Sequence, residues 1–512
     1  MKKLSILFFI LLSLRSFAQH TVDSTYFYQQ SRENLATSQQ NATFLIASPI
    51  QKIGLTKLFY SNSQGGFRAA QQAQQTATAG VYTEGIHKFN RFTTYGAFSF
   101  KRTWQDSLAW STKGLEQDDQ PYYYGSIKAG AFERLNYNLN GILTYNLIKN
   151  KLYIGSGITY EYNSSTRSVD PRPEVDTYKL ILSPELVYHF GNHRIGLNPK
   201  WGYGRETTGI GFKNPDYKNS TTGYPDRVNY LIQGYGLITN NQGVSNPLRR
   251  SDKYFGIGIN YSRNFGNFQL KSTVNYFNQQ EDNYQDFSES PVKVYISYYD
   301  TDWITAFAQL SKINENHTQQ VSINYSNQNG NDINVIFYAV NYRYMQDQLN
   351  VKYLLRLNTQ QKFSPELGVV SNYRSVEKSD YATAHFIGYS KLETTLLANA
   401  YLNLNKNDKL ALGMEIGYNK PLSSSIDIPV AQQTVFTKGV VFPDYTYTTS
   451  SAVKLSAHTN FITSSIFKQF RTGVSLKGTY YNKLESKYTF ANATHEVGKQ
   501  FVELNLAFNL YF

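Results

Sequence analysis

The stretch that decides the fold is Phe501-Val502-Glu503-Leu504-Asn505-Leu506-Ala507-Phe508-Asn509-Leu510-Tyr511-Phe512. Val502, Leu504, Leu506, Phe508, Leu510 and Phe512 share one parity, and Phe501, Glu503, Asn505, Ala507, Asn509 and Tyr511 share the other. Side chains alternate across a strand, so the two sets occupy opposite faces. One face is wholly apolar through Phe512 and the other is mostly polar. A buried strand of a soluble β protein is one source of this pattern. A lipid-facing strand that closes a barrel is the other.

Alternation in the rest of the chain favours the barrel. Leu135, Tyr137, Leu139, Leu143, Tyr145 and Leu147 oppose Asn136, Asn138, Asn140, Thr144 and Asn146. After a link at 148–150, Leu152, Ile154, Ile158, Tyr160 and Tyr162 oppose Gly155, Gly157, Thr159 and Glu161. Phe255/Ile257/Ile259/Tyr261 and Phe268/Leu270/Val274/Tyr276 repeat the pattern around residues 264–267, as does Leu410/Leu412/Met414/Ile416/Tyr418. Each strand is long enough for the roughly 9–11 residues that a tilted membrane strand requires. A soluble sandwich would turn its charged residues outward. Here the polar faces are rich in Asn, Thr and Gly, as a wet lumen requires, and Tyr at the row ends suits an interfacial girdle. The expected fold is therefore all-β: a transmembrane antiparallel up-and-down barrel of about 18–20 strands, within a range of about 16–20.

Lys2 and Lys3 precede an apolar run at 4–14, and Ser16-Phe17-Ala18 offers the small residues of a cleavage site. The sequence thus predicts a secretory signal peptide over residues 1–18, cut between Ala18 and Gln19, too short to span a membrane. The chain has no Cys, which excludes a lipid-anchoring cysteine, disulfides, thiolate metal sites and a Cys nucleophile. Mean hydropathy is −0.46 despite 43 Tyr and 32 Phe. A barrel hides its apolar surface in alternation, so the low average is no obstacle.

Loop lengths give the topology. Short connections near Lys149, Asn192, Gly266, Asn407 and Ser464 are expected at the periplasmic end. Long outer loops are expected at 105–133, 163–175, 206–250, 282–291, 419–447 and 484–499. Asp300-Thr301-Asp302 reads as a break between two strands, 293–299 and 303–311, which restores the up-down parity with about 20 strands, whereas fusing the ambiguous pieces gives about 18. The first strand begins near Ile53, giving a barrel over 52–512 and a separate segment over 19–51. In that segment Asp23 or Ser24 is placed to cap a short helix carrying Tyr26, Phe27, Tyr28 and Leu35. It is either a periplasmic lead-in or a plug in the lumen. Ser183-Pro184-Glu185-Leu186 recurs as Ser364-Pro365-Glu366-Leu367, and Pro within a strand suggests a bulge at each.

Motifs for catalysis are absent: there is no His-Glu-x-x-His, Gly-x-Ser-x-Gly, phosphate loop or Ca²⁺ loop. No enzyme, cofactor or metal is expected. His189 and His193 flank a turn, and Glu116, Asp118 and Asp119 cluster in a loop. Both fit solvated side chains better than metal ligands. The formal charge of +13 falls by three when the signal segment is removed. Nucleic acid is a poor match, since an exported chain shows no basic-aromatic recognition module. Alternation turns Lys101, Lys179, Arg194, Lys200, Lys271, Lys352, Arg356, Lys454, Arg471 and Lys477 inward. It turns fewer acids inward: Glu161, Glu185, Glu366, Glu393, Glu415 and Glu503. This describes either a salt-bridge lattice or a lumen biased toward anions.

The C-terminal residues resemble the assembly signal of bacterial outer-membrane barrels, carried here by Asn505, Ala507, Phe508, Leu510 and Phe512. Ala507 replaces the usual Gly, and Leu510 the usual aromatic. With the Ala-Gln cleavage, Tyr/Asn-rich strands and absent Cys, the chain resembles functionally uncharacterised outer-membrane barrel families of Bacteroidota. That resemblance implies a Gram-negative outer membrane, contact with its lipid and lipopolysaccharide, and the barrel-assembly machinery as a partner. It also implies association with nutrient uptake beside a TonB-dependent transporter or a surface lipoprotein. The chain looks unlike such a transporter itself, lacking a convincing N-terminal plug domain. Two functions follow: a pore or uptake-accessory channel for small or anionic solutes, or a lumen-blocked accessory barrel whose outer loops bind a ligand or partner. An outer-membrane enzyme is a third.

Overall fold

The computed structural model describes residues 25–114, 120–219, 221–241, 246–286, 293–358, 362–467 and 470–512. The expected signal segment, its Ala18–Gln19 junction, Asp23, Ser24 and the trio Glu116, Asp118 and Asp119 lie outside them.

The barrel begins with β1 (Lys52–Gly65), β2 (Gln75–Phe89) and β3 (Phe92–Leu108). A short strand, β4 (Tyr122–Gly125), intervenes before β5 (Gly130–Ile148), β6 (Leu152–Arg167), β7 (Arg172–Phe190) and β8 (His193–Gly211). Two more short strands, β9 (Tyr230–Gln233) and β10 (Ile238–Asn240), precede β11 (Leu248–Phe265), β12 (Phe268–Asp286), β13 (Lys293–Ile313) and β14 (His317–Asn334). The wall continues through β15 (Tyr342–Leu357), β16 (Phe363–Asp380), β17 (His385–Asn403) and β18 (Asp408–Asp427). It ends with β19 (Ser450–Thr463), β20 (Arg471–Ser486) and β21 (Gln500–Tyr511).

Eighteen of these strands form one antiparallel sheet that closes on itself, because β21 pairs with β20 on one side and β1 on the other. Closure leaves no open edge, the condition for spanning lipid with strands. At the seam, Phe512 and Gly54 exchange backbone hydrogen bonds of 2.6 and 3.0 Å. The Phe512 ring lies across Gly54, where a Cβ would come within 2.1 Å of it. Val502, Leu504, Leu506 and Phe508 face outward and are exposed, whereas Ala507, Asn509 and Tyr511 are buried inside. Short turns gather at the end holding both Ile53 and Tyr511. Asn90, Asn150, Gly191 and Gly266 take positive φ there, as tight hairpins require.

Three expectations need correction. The wall is not broken at Asp300-Thr301-Asp302, because β13 runs straight through. Thr301 turns inward and is buried, while Asp302 turns outward and accepts from Tyr276 (2.6 Å) and Asn278 (3.0 Å) on β12. Poor intrinsic strand propensity is overridden by these cross-strand bonds. Residues 163–175 are not a long loop: Asn163 to Thr166 pair with Glu174 to Thr177, so only 168–171 connect β6 to β7. A hairpin rising above the lipid reads as loop because both its faces are polar. Pro184 and Pro365 produce no register shift. At Pro184, Asn198 donates to the carbonyls of Ser183 (3.2 Å) and Pro184 (2.8 Å), bonding that stretch to β8 through a side chain.

Candidate functional site

The lumen is occupied from both ends. At the short-turn end lie α1 (Gln29–Ser38) and α2 (Ala42–Ala47). Tyr28, the residue before α1, supplies no side-chain cap, so the barrel wall does. Tyr401 on β17 accepts the Gln29 N–H (2.9 Å) and donates to Glu366 on β16 (2.9 Å). Asn399 bridges Gln29 and Glu366, each at 2.8 Å. Helix α2 is capped twice. Asn41 accepts the Phe44 N–H (2.9 Å), and Glu185 on β7 takes the N–H groups of Ala42 (2.7 Å) and Thr43 (3.2 Å). First-turn N–H groups lack helical partners, so acceptors placed there anchor the helix.

The rest of this interface combines polar bonds with an apolar cluster. Gln30 donates to the carbonyls of Thr318 and Leu354, both at 3.0 Å. Thr37 donates to Gln309 (2.7 Å), and Gln39 to Glu84 (3.0 Å). Tyr26, Phe27, Leu35, Leu45 and Ile50 pack with Ile53, Ile86, Tyr401, Ala411, Ile462 and Tyr511 in one buried apolar cluster. The helix expectation held Tyr26–Tyr28 within the helix; they precede it and pack their rings around Tyr401 and Tyr511 instead.

At the long-loop end, β4, β9 and β10 form a three-stranded sheet inside the mouth. Two further helices belong to the outer loops: α3 (Pro215–Asn219), and α4 (Phe442–Thr448) beside this sheet. Trp110, Phe436 and Val440 join Tyr123 of the sheet and Tyr445 of α4 in an apolar core with Tyr342, Tyr344 and Val376 of the wall. Wall carboxylates fasten the cover. Asp380 takes the N–H groups of Tyr235 (3.0 Å), Gly236 (2.9 Å) and Leu237 (2.9 Å), and Asp332 accepts from Tyr122. His385 is hydrogen-bonded to Thr437 at 2.8 Å.

Between plug and cover remain two sizeable chambers. One, of roughly 670 Å³, is lined by Arg32 and Glu33 of α1 with Lys57, Glu415, His458 and Lys477 of the wall. The other, of roughly 610 Å³, lies beside α2 and includes Lys179, Lys200, Asn198, Asn275, Phe277 and Trp303.

The cations singled out by alternation are dispersed rather than gathered. Lys271 is buried beneath α1, donating to Ser38 (2.9 Å), and Lys352 pairs with Glu33 (3.0 Å). Lys454 (3.4 Å) and Lys477 (2.8 Å) share Glu415. Arg356 bonds Asn358 (3.0 Å) and lies over the Tyr28 ring. Arg471 reaches the Asn407 carbonyl at a short turn. Arg194 sits near that same end, next to His193 at the start of β8, and Lys101 lies on β3 paired with Asn136 of β5. Lys179 and Lys200 line the second chamber, where Lys200 donates to Asn275 (3.0 Å) and neither forms an ion pair among the described residues. Arg32 and Lys57 are equally free of carboxylates there, and alternation missed both. Lys57 was readable as an inward residue of β1, but Arg32 belongs to a helix whose place in the lumen no strand pattern shows. Also missed was Arg250, buried among Asp252 (3.2 Å), Glu206 (3.7 Å) and Glu281 (3.7 Å) where β8, β11 and β12 adjoin.

His193 stacks on Phe190 and bonds Tyr261 (2.9 Å). Among the described residues no three potential ligands converge as a metal site.

A closed, eighteen-stranded wall with lipid-facing apolar rows and a polar interior defines an outer-membrane β-barrel. Residues 42–512 match a family of unknown function, DUF6850, and the chain belongs to that family. No curated protein matches it. Among solved structures it is similar to the copper transporter OprC at 6% identity, covering 90% of this chain and 81% of that one, with a TM-score of 0.42. It is similar to the siderophore receptor PiuA from Acinetobacter baumannii at 7% identity, covering 89% and 82%, with a TM-score of 0.39. It is also similar to the FrpB iron transporter from Neisseria meningitidis at 9% identity, covering 92% and 83%, with a TM-score of 0.40.

Proposed function

We propose that this protein is a gated uptake channel of the Gram-negative outer membrane, closed at rest by its own N-terminal segment and passing small or anionic solutes. Residues 19–51 form the gate and 52–512 the channel. One observation carries this reading: the gate's helices are fastened to the wall at their starts by side-chain hydrogen bonds and are flanked by chambers, with one apolar cluster around Tyr401 and Tyr511 beside them. Such bonds exchange with water, each contributing about 0.5–1.5 kcal/mol net when neutral and about 1.5–3 kcal/mol where one partner is charged, as at Glu185. A segment held this way can leave without unfolding the wall. The outward rows would meet lipid and lipopolysaccharide, and β21 would engage the barrel-assembly machinery. The stimulus for opening would come from a TonB-dependent transporter or a surface lipoprotein in the same uptake system.

The test is conductance in a planar bilayer. The full chain should be nearly silent, and a variant lacking residues 25–51 should conduct, with anions preferred. A folded, heat-modifiable deletion variant that stays silent would overturn the gate. It would favour an accessory barrel whose outer loops bind a partner, the reading supported by the aromatic core in the mouth.

A further inference from the structure

The chamber beside α2 carries a feature that gating does not require. Tyr254, Phe277 and Trp303 stand next to one another on the lumen face of β11, β12 and β13. Their ring centroids are 5.7 and 5.8 Å apart, and the first two rings are within 20° of parallel. The row depends on Gly256. A Cβ there would lie 2.8 Å from Phe277 Cδ2, so only glycine lets that ring lie against the wall. Phe277 and Trp303 remain part-exposed toward the chamber, whose remaining lining mixes polar side chains with Tyr95, Ile142 and Ile181. Aromatic surface left in a wet cavity costs hydration free energy unless something apolar covers it. Around it stand amide and hydroxyl side chains: Asn140 and Thr159, which bond each other at 3.1 Å, and Asn198, whose N–H groups go to the Ser183 and Pro184 carbonyls so that its oxygen is what it offers as an acceptor. The ligand complementary to that combination has an apolar C–H face and many hydroxyls at its edge.

We infer that this chamber is a saccharide-binding site that prefers acidic sugars. Phe277 and Trp303, with the buried Tyr254 behind Phe277, stack on the sugar rings, the amides bond their hydroxyls, and Lys179 and Lys200 meet a carboxylate or sulfate. The carboxylate of Glu185 lines the same chamber, but its oxygens are engaged by Ala42, Thr43 and Asn260 and the two lysines outnumber it. The roughly 610 Å³ available is within the range of about 300–1,000 Å³ usual for small-molecule sites. The inference deepens the uptake reading and rests on it for biological sense, but equilibrium binding can be measured without any conduction.

Calorimetry on the detergent-solubilised full chain, and on the variant lacking residues 25–51, would use trigalacturonate, maltotriose and salicylate as probes. Trigalacturonate should bind saturably, with maltotriose weaker and salicylate negligible. Lys179→Gln with Lys200→Gln should weaken trigalacturonate about tenfold, or about 1.4 kcal/mol, and leave maltotriose unchanged. Trp303→Leu should weaken both sugars and remove the ligand-induced change in tryptophan emission. Heat-modifiable mobility would establish that each variant is folded, and the lysine pair provides the test if Trp303→Leu is not. Absence of saccharide binding in both full chain and deletion variant, binding of salicylate alone, or full affinity in folded Trp303→Leu would each overturn the site. A silent channel that still binds trigalacturonate would overturn gating and leave the site standing.

Discussion

Glu185 and Glu366 occupy the same position in identical Ser-Pro-Glu-Leu tetrapeptides, and each serves the start of a different lumen helix. Glu185 takes two N–H groups of α2 directly, while Glu366 acts on α1 through Tyr401. Both carboxylates are buried, so each needs those donors as much as the helices need an acceptor. Glu185→Gln exchanges one acceptor oxygen for a donor facing the Ala42 or Thr43 N–H. Hydrogen bonds to charged groups contribute about 1.5–3 kcal/mol, so amide exchange over residues 42–47 should accelerate about tenfold to a hundredfold. Glu366→Gln should do the same for residues 29–38, by a smaller factor because Tyr401 stays. Unchanged exchange in both variants would show that the helices are held by their apolar contact instead.

The wall was legible in the sequence because one physical rule, alternation between lipid and water, acts on every strand. Leu412 and Val502 declare their face to anyone counting by two. The rule loses force where both faces are wet, which is why residues 163–167 and 282–286 read as loop and pair as strand. It has no purchase on the lumen contents. Residues 29–38 contain only scattered apolar positions, since most of their partners are polar side chains drawn from strands hundreds of residues away. The repeated tetrapeptide was visible, but proline directed attention to a bulge when the informative residue was the glutamate after it.

The same rule predicts which face tolerates charge. Leu139→Arg and Leu412→Arg point into lipid and should each cost about 2–4 kcal/mol near the midplane. Asn138→Lys should cost far less, because Asn138 faces the lumen and already bonds Glu161 at 3.2 Å. Lumen placement alone is no guarantee of tolerance. A Cβ at Gly413 would lie 2.1 Å from His458 Cε1 and 2.3 Å from Asn399 Oδ1. Gly413→Ser should therefore destabilise, although alternation by itself marks it as harmless. Reversible unfolding in detergent or lipid would rank the four variants, and equal losses on both faces would refute the register.

Removal of residues 509–512 takes ladder partners from β1 and β20 together and uncovers Gly54. Both flanking strands then present unpaired N–H and C=O groups in lipid, each costing several kcal/mol. The truncated protein should be degraded or aggregated, without heat-modifiable mobility. The milder Gly54→Val leaves the ladder intact but drives a side chain into the Phe512 ring. It should slow assembly and lower the unfolding temperature while still yielding folded barrel.

Acid should loosen one outer loop before it affects the wall. Desolvation by itself raises the Asp170 carboxyl, but the N–H groups of Asn214 and Lys213 and the Arg172 guanidinium outweigh it and hold the group below its ordinary range. These contacts, at 3.0, 2.9 and 2.7 Å, tie the β6–β7 connection to the segment leading into α3. A depressed folded value means the stabilisation is complete above the unfolded pKa of about 3.9 and is lost as pH falls through the lower folded value. Proteolysis within residues 212–229 should thus rise as the pH falls below about 4. Asp170→Asn should show high cleavage that no longer depends on pH in this window. A wild-type profile flat across it would remove the tether.

Ion selectivity depends on which lysines are free, and the gate changes that set. With residues 25–51 in place, Lys271 is held by Ser38, Lys352 by Glu33 and Lys477 by Glu415. Replacing these three by Gln in the full chain should mainly weaken the gate, seen as occasional channel opening. In the deletion variant Ser38 and Glu33 are gone, so Lys271 and Lys352 become uncompensated charges on a low-dielectric wall that focuses their field. Lys477 stays neutralised, since Glu415 belongs to β18. The deletion channel should therefore prefer Cl⁻ over K⁺, and Lys271→Gln with Lys352→Gln should lower that preference substantially. Lys477→Gln, which exposes Glu415 to Lys454 alone, should shift it only slightly. Raising the salt from about 0.1 to 1 M shortens the screening length from about 10 to 3 Å and should erase most of the preference. Reversal potentials under a salt gradient measure each step. A cation-selective deletion channel would mean that acids such as Glu84 and Glu185, freed by the same deletion, outweigh the released lysines.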